Sequence, residues 1–196
     1  MKTKLLLTII LSACFSALFA QQDSFSKRLS DATISLTKNK VIYDPSYYTI
    51  AYPNGDVPAD RGVCTDVVIR AYRKLGIDLQ QKIHEDMKAN FAVYPKNWGL
   101  KKPNRNIDHR RVPNQAKFFS RFGTILKISD NGKDYLPGDI VTWDLPKGLK
   151  HVGIVTDRMS RDGKRPLIVH NIGRGQVLED CLFSFKITGH YRYSGD

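Results

Sequence analysis

Residues 137–143 read Pro137-Gly138-Asp139-Ile140-Val141-Thr142-Trp143, residues 151–156 read His151-Val152-Gly153-Ile154-Val155-Thr156, and residues 167–170 read Leu167-Ile168-Val169-His170. Each is a short run rich in β-branched or aromatic residues and bounded by turn formers, the pattern of a strand. Asp162-Gly163, between the second and third runs, predicts a hairpin tip that sets those two strands side by side. Thr124–Ser129 and Ile187–Tyr193 have the same character. The second half of the chain therefore predicts one antiparallel sheet of about five strands.

The first half has a different period. Phe25, Leu29, Ala32 and Leu36 fall on one helical face. Val68, Ala71, Tyr72 and Leu75 make the stripe of a second helix that begins at Cys64 and stops at Gly76. Leu79, Ile83, Met87 and Phe91 repeat every four residues and predict a third. A fourth short helix runs from Pro113 to Phe122, with proline at its first position and Gly123 after its end. Residues 41–61 and 92–112, rich in Pro, Gly, Asp and charge, read as loops. Helices first and strands afterwards predict an α+β domain, with N-terminal helices packed on a C-terminal antiparallel sheet.

Residues 1–20 read as a secretory signal peptide: Lys2 and Lys4, an apolar run from Leu5 to Leu11, then small residues up to Ala20 before Gln21-Gln22. A rival reading takes Leu11-Ser12-Ala13-Cys14 as a lipobox, with Cys14 lipidated, although the residues after Cys14 stay apolar up to Ala20. Residues 21–196 are long enough for a single domain with a sizeable core. No second segment approaches membrane-spanning length, and a monomer is expected. The net charge of +12 falls to +10 when Lys2 and Lys4 are removed. Such a basic exported protein suits anionic surfaces such as cell-wall polymer. Export and the lack of zinc-finger spacing or aromatic RNA-binding motifs argue against nucleic acid. Cys64 and Cys181 are the cysteines left after residue 20, and an oxidising compartment could join them.

Cys64 stands where the second helix begins, preceded by Arg61-Gly62-Val63. Unpaired N–H groups and the partial positive charge of a helix N-terminus stabilise a thiolate and can support an oxyanion. A buried core thiol is the plain alternative. His151, at the start of its strand, is positioned as a general base, and His170, at the end of the next, as the residue that orients it, with Asn171 the alternative although alternation turns its side chain to the opposite sheet face. Neither histidine is informative alone, but nucleophile on a helix, base on a strand and orienter on the following strand form a specific order. Asp108-His109-Arg110-Arg111 reads as a substrate clamp, since arginines pair with carboxylates. A solvated loop or a structural ion pair is an equal reading. Asp108, His109, His151 and His170 lack metallopeptidase ligand spacing, so no metal or other cofactor is expected.

These blocks resemble the NlpC-type cell-wall cysteine peptidases: Cys64 to Leu79 their nucleophile helix, Pro137-Gly138-Asp139-Ile140-Val141 their "PGDLV" strand, His151-Val152-Gly153-Ile154-Val155 their "HVGIY" strand, and Val169-His170-Asn171 the position of their third catalytic residue. The resemblance implies a papain-like fold and a metal-independent cysteine amidase or endopeptidase. Its substrate would be peptidoglycan peptide or a related amide in the periplasm or cell envelope. It also implies a tyrosine upstream of the cysteine, for which Tyr52 is the match. Those enzymes read Asp-Cys-Ser-Gly, whereas this chain reads Val63-Cys64-Thr65-Asp66. The missing aspartate, which helps them read a substrate amine, leaves Asp66 or Asp60 as substitutes and leaves room for a non-catalytic binding module. Over the whole mature chain the sequence is similar to a bacterial family called domain of unknown function 1287. The stretches that carry this are residues 52–58, 62–66, 107–114 and 189–192.

Overall fold

A computed structural model describes residues 25–195. Residues 1–20, read as a signal peptide, and Cys14 with its lipobox reading lie outside the described residues. Four helices precede most of the sheet: α1 over residues 25–36, α2 Cys64–Arg73, α3 Leu79–Ala89 and α4 Val112–Phe122. Two short strands, β1 Ile42–Tyr43 and β2 Arg61–Gly62, pair in parallel. The main sheet comprises β3 Thr124–Ile125, β4 Ile140–Asp144, β5 Lys150–Met159, β6 Pro166–His170, β7 Val177–Glu179 and β8 Lys186–Arg192. Its order is β3-β8-β4-β5-β6-β7, antiparallel throughout. The expected α+β class is thus observed, with six strands instead of about five.

Helix α2 forms against its own propensity. Thr65, Val67, Val68 and Ile69 are β-branched, a costly set for a helix. Packing overrides this, because Val67, Val68, Ala71 and Tyr72 are wholly buried between the sheet and the other helices. Each of the two valines contributes about 1.5–3 kcal/mol relative to exposure. The Asp66 carboxylate accepts from the Val63 N–H at 2.7 Å, satisfying a donor at the helix start. After Arg73 the chain turns out through Gly76, at φ 81°. Arg70 crosses from α2 to hold the 56–61 loop, donating to Asp56 and to the Pro58 and Arg61 carbonyls.

Strand alternation sorts side chains to two faces. Ile140, Val152, Ile154 and Val169 meet Leu29, Tyr72, Ile83 and Phe119 on the helix side. Val141, Trp143, Val155 and Ile168 meet Tyr135 and Leu182 on the other. Strands β5 and β6 approach closely at Gly153, where a Cβ would lie 2.6 Å from Ile168 Cγ2 and 3.2 Å from His170 Cβ. The missing side chain lets these strands bring their histidines together.

Three expectations needed correction. Thr124–Ser129 is a strand only over Thr124–Ile125. Helix α3 ends at Ala89, so Phe91 lies beyond it in a short 3-10 turn, Phe91–Val93. Residues 41–61, read as loop, contain the β1–β2 pair.

Candidate active site

The strand pairing determines the geometry at His151. The Val155 N–H donates to Asp139 O on the β4 side, so by alternation the Val152 N–H points to the β6 side. The β5–β6 pairing runs no further than Ile154↔Val169 at this end. Asn171 has turned away, its Nδ2 donating to Gly62 O at 3.0 Å. The Cys64 sulfur occupies the place so vacated, facing the N–H groups of Val152, Thr65 and Cys64 itself. The peptide unit between His151 and Val152 therefore contacts the thiol directly.

Behind it runs a buried row of hydrogen bonds. His151 Nε2 lies 2.8 Å from His170 Nδ1, and His170 Nε2 lies 2.9 Å from Glu179 Oε2. The Glu179 carboxylate accepts only, so His170 carries its proton on Nε2 and accepts through Nδ1. His151 must then donate from Nε2, leaving its Nδ1 with a free lone pair. The imidazoles meet edge to face, 5.0 Å between centroids, and Trp143 lies 5.8 Å from His151. Cys181 Sγ is 3.6 Å from His170 Nε2, and both cysteines are free thiols.

The resting site is uncharged at its centre. Burial lowers His151 to about 3, reinforced by His170, and burial lowers His170 as well. Burial pushes the Cys64 thiol up to about 12, against the three N–H groups that favour thiolate. Alkylation follows from this. In a Cys181→Ser background, iodoacetamide should label Cys64 about tenfold faster per pH unit from pH 7 to 10, since only thiolate reacts. An inflection below about pH 8 would instead reveal a sulfur ion-paired with an imidazolium.

Cys64 borders a cavity of about 330 Å³ whose walls include Tyr43, Trp98, Arg111, Leu149 and Lys150. Arg111 is thus at the site, 4.5 Å over the Trp98 ring. Arg110 also reaches the wall, but its guanidinium is engaged by Asp66, at 2.9 and 3.0 Å, and by the Ser46 carbonyl. Asp66 and Arg110 thus form an internal ion pair, and neither charge is free to read a substrate. His109 is buried, lowered to about 3 mainly by desolvation, with its Nδ1 unpartnered among the described residues. Tyr52 packs on His84 at 5.3 Å and under Arg105, and the cavity wall does not include it. The tyrosine beside Cys64 is Tyr43, held by the β1–β2 pair; burial raises its hydroxyl, as do the neighbouring Cys64 and Asp66. Sequence reasoning missed Tyr43 and Glu179, because each is placed by a strand of two or three residues with no alternating signal.

Among the described residues, no group of three or more His, Cys, Asp or Glu is arranged for a metal ion. No helix among them is long and apolar enough to cross a membrane.

The chain thus folds as helices on an antiparallel sheet, with a thiol at a helix tip against the Val152 N–H and a pair of imidazoles on the adjoining strands. It belongs to the family described as domain of unknown function (DUF1287), whose model matches residues 30–193. It is similar to a protein of Escherichia coli (strain K12) described as uncharacterized protein YijF. The two are 52% identical over 165 residues, covering 84% of this chain and 80% of that protein.

Proposed function

We propose that the chain is an exported cysteine amidase or endopeptidase acting on peptidoglycan peptide or a related amide, with the papain-like arrangement of NlpC-type enzymes. The observation that carries this reading is the row Glu179–His170–His151, which leaves an unprotonated ring nitrogen on the residue whose peptide unit contacts the Cys64 sulfur. Because thiol and imidazole are both neutral at rest, proton transfer accompanies attack and does not precede it. Sulfur bonds to the substrate carbonyl carbon as its proton passes to His151 Nδ1, and main-chain N–H groups near Cys64 receive the oxyanion. The C–N bond then breaks, and His151 returns the proton to the departing amine. Water next attacks the thioester, giving its proton to His151, and the acid leaves as the thiol re-forms. His170 and Glu179 hold the tautomer and touch no reacting atom.

The test is incubation of wild type and Cys64→Ala with purified peptidoglycan, with the fragments read by mass spectrometry. New fragments from wild type alone are expected. Identical digests from the two proteins would overturn the reading.

The burial of Cys64, 6% exposed, together with its high thiol pKa, favours a second reading: a cell-envelope binding module on the same fold. In that case both proteins would retain peptidoglycan on sedimentation and release nothing.

A further inference from the structure

The walls of the cavity at Cys64 carry three cations, Arg110, Arg111 and Lys150, and no carboxylate. Arg110 is neutralised by Asp66. Lys150 Nζ reaches Asp144 Oδ1 at 2.6 Å. Arg111 is different. Among the described residues its guanidinium makes no hydrogen bond or ion pair, and its one contact of note is the Trp98 face. Its Nη1 is buried without a partner. Asp108 influences it only through space: its Oδ2 accepts from the Asn104 N–H at 2.5 Å, and its Oδ1 makes no hydrogen bond to Arg111 or to any other described residue. The side chain as a whole is half-buried, and a guanidinium nitrogen left buried and unpartnered is costly unless something occupies it. The ligand chemistry that satisfies its fork is a carboxylate, bound through two parallel N–H···O bonds.

We infer that Arg111, supported by Trp98, is a subsite for a carboxylate carried by the peptide that lies across Cys64. This deepens the proposed function and rests on it for treating that peptide as a substrate. It also accounts for the absence of an acid before Cys64: Val63 and Asp66 offer no free charge for an amine, and the uncompensated charge has the opposite sign. The polarity of recognition is therefore for an acid.

The test measures binding without turnover. Cys64→Ala protein is titrated with N-acetyl-trialanine as the free acid and as its C-terminal amide, following the Trp98 indole N–H by NMR. The acid is expected to bind at least tenfold more tightly than the amide, and Arg111→Gln to erase that preference. Equal affinities, binding of neither peptide, or a preference that survives Arg111→Gln would each overturn the inference. The acid–amide comparison on the parent protein decides the matter even if Arg111→Gln does not fold. Cys64-dependent cleavage of peptidoglycan without an acid preference would remove this subsite alone. An acid preference without such cleavage would remove the hydrolase reading alone.

Discussion

Between pH 7 and about pH 4.5 the folded chain is expected to lose about 5 kcal/mol of stability, from two buried imidazoles. His109 and His151 are held at about 3 in the folded state, against an ordinary value of 6.5. Below 6.5 the unfolded chain gains protons on these residues that the folded chain refuses until about 3. Their contribution is thus complete above 6.5 and declines as pH falls, by about 1.4 kcal/mol per unit for each histidine. His170 is lowered too and acts in the same direction. Asp108, raised by burial, acts oppositely and offsets part of the loss. Carboxylates held low by partners, such as Asp86, weaken the fold only in stronger acid. A loss of this size is comparable to the whole stability of many domains, roughly 5–15 kcal/mol. Urea unfolding at pH 7, 5.5 and 4.5 measures it. A flat profile would mean that these imidazoles protonate inside the fold, and a neutral His151 base would be lost with that result.

Asp66→Ala is expected to cost about 3–5 kcal/mol, since it strands the buried Arg110 guanidinium and removes the acceptor for the Val63 N–H. Both residues of the pair are less than one-tenth exposed, so water cannot replace the lost partner. Removing both charges should cost less than removing one, because no uncompensated charge remains. The double variant Asp66→Ala/Arg110→Met should therefore recover a large share of the loss. Chemical denaturation of the two single variants and the double variant closes the cycle. Additive losses would show that the pair carries no coupling and that Asp66 is free for another task.

What could be read from the chain followed the strength of local pattern. The runs at 140–144, 150–159 and 166–170 alternate over enough residues to announce strands, and Asp162-Gly163 fixed which two are neighbours. The His151–His170 contact was therefore legible in the chain itself. Glu179 was not, because β7 has three residues and its pairing with β6 depends on a glycine-rich turn of no regular kind. Tyr43 was hidden for a similar reason: a two-residue parallel pair is too short to carry an alternating pattern. Asp108-His109-Arg110-Arg111 was legible as charge but not as position. A 3-10 turn tucks its first three residues beneath α2 and α3, so one arginine became structural while its neighbour faces the cavity.

The row from His151 to Glu179 has one dry end and one wet end. Glu179 keeps 26% of its side chain exposed and pairs with Arg174, which is largely in solvent. A buried imidazole is thus tied, through two hydrogen bonds, to a carboxylate that solvent reaches. Ionic strength outside would then be felt at an imidazole that no salt ion can reach.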